Sequence, residues 1–140
     1  MTKKFKILGK YIKDLSSETK DAATYLFVKE NISKYQLDIN INSKALKNKM
    51  VEINTILKFE DKQENKKKSL FEMTYATIIQ VDNEVQNKNE LEKIILCDAQ
   101  IEIYPYLEKS FLDTLHNSGY PDIKFEKKID FEKLYNQRFN

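Results

Sequence analysis

Alternation is the feature that most narrows what this chain can fold into. Leu37, Ile39 and Ile41 alternate with Gln36, Asp38, Asn40 and Asn42. Val51, Ile53, Thr55, Leu57 and Phe59 alternate with Glu52, Asn54, Lys58 and Glu60, and Phe71, Met73, Tyr75, Thr77, Ile79 and Val81 with Glu72, Thr74 and Gln80. Successive side chains of a strand leave on opposite faces, so each run predicts a strand with one face dry and the other wet. A less regular run with Phe5, Ile7, Tyr11 and Leu15 in phase predicts a fourth. The connections at 43–49 and 61–68 are short and polar, which permits antiparallel hairpins and not crossovers. Lys66, Lys67 and Lys68 are expected in a solvated hairpin loop.

The period changes in the second half. Ile101, Tyr104, Glu108, Phe111, Leu112 and Leu115 recur at helical spacing, with five apolar members on one stripe. Pro105 predicts a kink or break nearby. Gly119 can take the left-handed position that closes a helix, and Pro121 follows it. A shorter helical pattern runs over 90–97. A last helix starts at Asp130 as N-cap and carries Phe131, Leu134 and Tyr135 on one side. Residues 22–35 are apolar without a clean period, and either pack on the domain or contribute to a binding surface. Strands first and helices second predict one α+β domain over 1–140, a four-stranded antiparallel sheet with helices packed on one face.

The chemistry is sparse. With 24 basic and 22 acidic residues the formal charge is +2, too balanced to imply nucleic-acid binding by itself. Short strands with Tyr and Lys leave a single-strand nucleic-acid module as a competing class, which would lose affinity steeply with salt. No apolar run approaches the ~20 residues of a membrane span, and no apolar segment follows the basic N-terminus as a secretory signal requires. Two glycines cannot build either common phosphate-binding loop. His116 has no Cys or His partner at zinc spacing, so no metal and no cofactor are expected. Cys97 stands alone, which fits a reducing cytoplasm. A Cys97–His116 catalytic pair is weighed against a buried thiol and a helix-end histidine, and the plainer reading is favoured. No enzyme is expected.

In order along the chain, several segments resemble the SecB family of export chaperones. Residues 11–18, Tyr-Ile-Lys-Asp-Leu-Ser-Ser-Glu, are similar to its YxKDLSxE strand. Val51-Glu52-Ile53 with Leu57 resembles YEVxLxL, and residues 70–76 resemble F-x-x-E-x-x-Y-A/G. Cys97 followed by Ile103-Tyr104-Pro105-Tyr106 resembles CPxxLFPFAR. Gly119-Tyr120-Pro121 and Ile129-Asp130-Phe131 with Leu134-Tyr135 resemble GFPxL and IDFxxLY. The order and spacing hold over about residues 5–136. The chain departs from the pattern where ENPxxP is replaced by Glu18-Thr19-Lys20-Asp21-Ala22, where Asp98 stands for the Pro after the cysteine, and in its slight basic charge. Residues 136–140 alone follow the last motif, where the family carries an acidic tail.

The resemblance implies a cytoplasmic, non-catalytic homotetramer, a dimer of dimers, that binds unfolded preproteins and passes them to the SecA motor without ATP, membrane insertion or nucleic acid. It implies SecA docking at Asp14, Glu18, Leu70 and Glu72, and a role in subunit association for Phe71, Met73 and Tyr75, whose alternative is ordinary core under the helices. A holdase needs an adaptable apolar groove. Its expected lining is Tyr25, Phe27, Ile32 and Tyr35 with Tyr104, Tyr106 and Leu107. The alternative within the family is a SecB-like chaperone dedicated to one partner, such as a toxin–antitoxin component.

Overall fold

The computed structural model describes residues 3–63, 67–125 and 128–139. β1 (Phe5–Glu18), β2 (Gln36–Ala45), β3 (Met50–Glu60) and β4 (Leu70–Val81) form one antiparallel sheet in the order β1-β4-β3-β2. The register explains the alternation. Leu37 faces Phe59 and Phe59 faces Phe71; Ile39 faces Leu57 and Leu57 faces Met73. Residues opposite one another share a face, so the odd-numbered positions of three strands make a single dry surface. Their even-numbered partners make the other face.

β1 is irregular for a physical reason. Its pairing with β4 shifts between Ile7 and Gly9 and again between Ile12 and Asp14, which leaves Leu8 and Lys13 as extra residues. Each bulge inverts the phase. Phe5, Ile7 and Leu15 therefore sit opposite the dry-face residues Val81, Ile79 and Met73, whereas Tyr11 sits opposite Ala76 on the open face. The expectation that Tyr11 shares the phase of Phe5, Ile7 and Leu15 is corrected by the first bulge.

β2 and β3 are joined by a tight hairpin. Asn48 and Lys49 both have positive φ, 61° and 59°, and the amide of Met50 donates to the carbonyl of Lys47, the geometry of a two-residue turn whose twist suits a hairpin. In the β3–β4 connection Lys67 and Lys68 are exposed; Lys66 lies outside the described residues.

The unperiodic stretch after β1 contains a helix, α1 (Ala22–Glu30), and a 3-10 turn, Ile32–Lys34. Asp21 caps α1, its carboxylate accepting from the Thr24 amide at 2.8 Å. Only Thr24 and Val28 of α1 are buried and Leu26 is exposed. So narrow a contact leaves little amphipathic signal to read.

α2 (Lys88–Lys93) runs through a π turn, Ile94–Asp98, into α3 (Ala99–Asn117) without leaving helical backbone. α3 buries Ala99, Gln100, Ile103, Tyr104, Leu107, Phe111 and Leu115 against the dry face. Ile101, expected on this stripe, is 57% exposed, and Ile103 and Leu107 hold the core instead. Pro105 sits inside the continuous helix; the carbonyl it deprives of a donor belongs to Ile101, on the exposed side. One polar contact fixes the helix over the sheet. The Thr55 hydroxyl and Gln100 carboxamide, both fully buried, lie 3.0–3.1 Å apart, and the Gln100 amide also reaches the Ile95 carbonyl in the π turn at 3.4 Å.

α3 ends as its sequence predicts. The Tyr120 amide donates to the Leu115 carbonyl and the Gly119 amide to the His116 carbonyl, the paired bonds of a Schellman closure. Gly119 has φ +110°, and a methyl group there would lie 2.6 Å from Tyr25 Cε1. α4 (Phe131–Phe139) follows, with the Asp130 carboxylate accepting from the Lys133 amide. Two apolar clusters fill the dry face, the larger around Phe71, Leu107 and Phe111 and the smaller around Ile53, Ile79 and Ile94.

Gly119→Ala combines a strained φ with that ring contact. It should lower unfolding free energy by about 2–3 kcal/mol, read as an earlier urea midpoint; an unchanged midpoint would contradict the closure described.

Candidate functional site

Where the sheet ends at Leu37, Phe59 and Phe71, the covering layer is incomplete. The 3-10 turn and the start of β2 form one wall, residues 122–125 with Ile129 form the other, and between them lies a groove of about 680 Å³. Its apolar lining is Ile32, Tyr35, Leu37, Phe59, Ile123, Phe125 and Ile129. The floor is aromatic, with Tyr35 and Phe59 5.5 Å apart between ring centroids and Phe59 and Phe125 5.6 Å apart. Phe125 also stacks on Phe111 at 6.2 Å. The Tyr35 hydroxyl accepts from the Ser69 amide at 3.1 Å, and burial pushes its pKa above the ordinary value. The ring is thus pinned with its apolar face toward the groove region.

A smaller cavity, about 190 Å³, continues along β2 between Ile39 and Ile41 on the sheet and Leu96, Phe131, Leu134 and Tyr135 on the helices. Among the described residues β2 pairs only with β3, so no described strand covers its outer backbone edge beside both cavities.

Of the seven expected lining residues, Ile32 and Tyr35 line the groove. Tyr25 braces it from behind: its hydroxyl donates to the Gly119 carbonyl at 2.8 Å and its ring lies 5.4 Å from Tyr120. Phe27 is half-buried on α1 and outside the lining. Tyr104 and Leu107 belong to the core stripe of α3, with Tyr104 against Phe131 at 5.2 Å. Burial, with Glu108 nearby, holds the Tyr104 hydroxyl far above its ordinary pKa. Tyr106 points the other way, 58% exposed, with the Lys10 ammonium 3.5 Å above its ring. At 3.6 residues per turn, 104 and 107 share a face and 106 cannot join them. The apolar lining residues not foreseen are Leu37, Phe59, Ile123, Phe125 and Ile129. The alternation already placed Leu37 and Phe59 on the dry face; Phe125 carries no periodic signal.

The open face gathers the four expected docking positions. Asp14 lies opposite Thr74, Ser16 opposite Glu72 and Glu18 opposite Leu70, so three carboxylates and one exposed leucine occupy adjacent rungs of two paired strands. Glu72 also faces Lys58 on β3. Lys13 and Glu52 form an ion pair at 2.6 Å on this side, and the lysine's hydrogen bond holds the Glu52 carboxyl below its ordinary pKa. Phe71, Met73 and Tyr75 lie on the opposite side of the same strand, 1%, 0% and 8% exposed within the single chain. Within the single chain they are core beneath the helices.

Cys97 is buried in the π turn, where burial raises its thiol pKa. His116 Nε2 is 2.8 Å from the Ile123 carbonyl. Nineteen helical steps of one continuous helix separate the two, about 28 Å of axis, so they do not form a catalytic pair. Among the described residues no cluster of three metal-ligating side chains occurs, and no helix is long and apolar enough to cross a membrane.

A family model described as SecB, preprotein translocase subunit SecB, matches residues 1–140. A relative from Pelagibacter ubique, provisionally named protein-export protein SecB, is 59% identical over the full length of both chains. Protein-export protein SecB of Methylocella silvestris is 25% identical over 93% of this chain and 79% of its own. Among solved structures, a SecB-like chaperone of Mycobacterium tuberculosis in complex with an antitoxin peptide is similar in fold, with a TM-score of 0.61 at 14% identity, over 90% of this chain and 91% of the other.

Proposed function

The chain belongs to the SecB family of protein-export chaperones, and from that premise we propose that it holds unfolded precursor polypeptides in the β2 groove and delivers them to the SecA motor. The observation that carries this reading is an aromatic-floored groove beside a free strand edge. An unfolded client exposes apolar side chains and unsatisfied backbone groups together. The groove takes the first and the edge of β2 the second, a pairing that depends little on client sequence. Burying one aromatic side chain of 150 Å² removes about 4 kcal/mol of unfavourable hydration. Each such contact is modest once ordering is counted, so avidity over several copies would set the overall affinity.

A homotetramer in the cytoplasm supplies those copies in this reading. Support comes from β1, a free edge of 14 residues that exposes Leu8, Ile12 and Leu15 at 42–48%, an apolar strip a second copy can cover. Phe71, Met73 and Tyr75 would influence association by shaping the sheet behind that strip. SecA docking is assigned to Asp14, Glu18, Leu70 and Glu72, whose clustering on two paired strands suits a basic partner segment. The alternative, a chaperone dedicated to one partner, has its precedent in the Mycobacterium tuberculosis protein bound to an antitoxin peptide. The export names of both sequence relatives favour the first reading.

Ile32→Asp with Ile129→Asp puts two charges into the groove at half-buried positions. The folded variant should lose protection of an aggregating substrate by tenfold or more, scored by light scattering; full protection would remove the groove from the proposal. Glu18→Lys with Glu72→Lys should weaken SecA binding at least tenfold by calorimetry while client protection persists, and an unaltered affinity would exclude this face. Native mass spectrometry should find four copies of the 16.6 kDa chain; a monomer would overturn the tetramer.

A further inference from the structure

A third cavity opens at the other end of the sheet from the groove. Val51 lines the cavity and Phe59 the groove, and at a rise of about 3.3 Å per residue they stand about 26 Å apart along β3. The cavity holds about 370 Å³ and shares no lining residue with the groove or with the smaller cavity beside it. It takes Val51, Val81 and Val85 from the smaller apolar cluster and adds Leu46, Met50 and Leu91. Its charged lining is cationic: Lys49 and Lys88 stand there, with no carboxylate among the described lining residues.

Lys49 is held at this rim against local preference. The turn it shares with Asn48 has positive φ at both positions, which glycine meets freely at the second and lysine does not. What lysine adds is an ammonium fixed in place. It donates to the carbonyls of Asn83 and Val85, each at 3.2 Å. An ammonium has three N–H donors, so one is left for a further acceptor. Among the described residues Lys49 forms no ion pair. The Lys88 side chain is 86% exposed, and its contact with Glu92 is a loose 3.9 Å. An apolar interior beneath such cations is complementary to one molecule with an alkyl chain and an anionic head. We propose that the cavity binds a free medium-chain fatty acid, its chain among Val51, Val81, Val85 and Leu91 and its carboxylate on the Lys49 ammonium. The volume lies at the low end for small-molecule pockets, which suits one unbranched chain and excludes a diacyl lipid. The carboxylate fills the donor that the two backbone carbonyls leave over, and does so as a charge-assisted hydrogen bond.

Calorimetry on the full-length protein in its native assembly tests this with hexanoate, octanoate and decanoate, each below its micellar concentration. Octanoate should bind once per chain, and affinity should rise about fourfold per added methylene until the cavity is full. Octanol, with the same chain and no charge, should bind about tenfold more weakly. Lys49→Gly, which the turn favours, should bring octanoate down to the octanol level and leave octanol unchanged, which also reports an intact cavity. If it weakens both, Lys49→Gln decides by the same comparison, since it keeps a neutral donor at the rim. A preference for octanoate that survives both substitutions, or loss of both ligands in both, removes Lys49 as the anion's partner and overturns the proposal. Ala45→Phe, at an exposed lining position, should block both ligands. Ile32→Asp with Ile129→Asp should change neither; octanoate binding lost there would place the fatty acid in the client groove and overturn the proposal. So would equal affinity for octanol and octanoate in the wild type, no octanoate binding at all, or binding that survives Ala45→Phe. An Ala45→Phe protein of lower assembly state by native mass would place a second copy over the cavity, with the same consequence.

Discussion

Burial of one face of the sheet, and one only, governs the rest of this structure. Four strands with alternating side chains present a dry face that must be covered, and a single long helical segment with its flanking connections is what the chain has to cover it. α3 lays its stripe of Ile103, Leu107, Phe111 and Leu115 over the middle. The cover then runs short along β2, where the groove and its neighbouring cavities open, and along β1, where Ile12 and Leu15 remain exposed. The wet face carries the carboxylates because nothing packs there. Groove, free edges and acidic face are three results of one shortage of covering surface.

Where that cover sits depends on polar chemistry inside an apolar layer. Gln100 and Thr55 are fully buried and satisfy one another, and Gln100 also serves a carbonyl of the π turn. Sliding α3 along the sheet would strand both groups at a cost of about 1–3 kcal/mol each. The π turn lies immediately before Ala99, so its extra residue rotates everything upstream relative to α3. Ile94, Ile95 and Cys97 can therefore be buried in the same helix that buries Ile103 and Leu107, although no uniform 3.6-residue period connects the two sets.

That inserted turn also explains part of what sequence reading could and could not reach. Strands and their dry faces were legible because a period of two survives until something interrupts it, and Leu8 and Lys13 interrupt it in β1. The closure at Gly119 and the cap at Asp130 were legible because each rests on chemistry within five residues. α1 was hidden because only Thr24 and Val28 are buried in it. The groove was half legible. Ile32 and Tyr35 lie near β2 in sequence, so their place follows from the strand, whereas the aromatic or apolar character of Tyr104, Tyr106 and Leu107 does not itself say which side of α3 each occupies. Phe125 reaches the groove by packing between Phe59 and Phe111, contacts more than ten residues distant that no local pattern encodes. The expected docking positions rest on family resemblance, and the register brings those residues together on adjacent rungs.

The two free edges of the sheet differ in how they treat an incoming strand. β2 pairs with β3 through ten consecutive rungs without a shift, and an uninterrupted edge imposes no unique alignment. A chain added there can slide by two residues and keep every hydrogen bond and the same side chains inward. Its many equivalent alignments favour binding statistically and ask little of its sequence. β1 is broken twice, at Leu8 and Lys13, and a regular strand laid against it loses its ladder at both places. Only a strand with interruptions at matching points can follow it throughout. One sheet thus combines an indiscriminate margin with a discriminating one, so that whatever strand comes and goes along β2 is a poor competitor for β1.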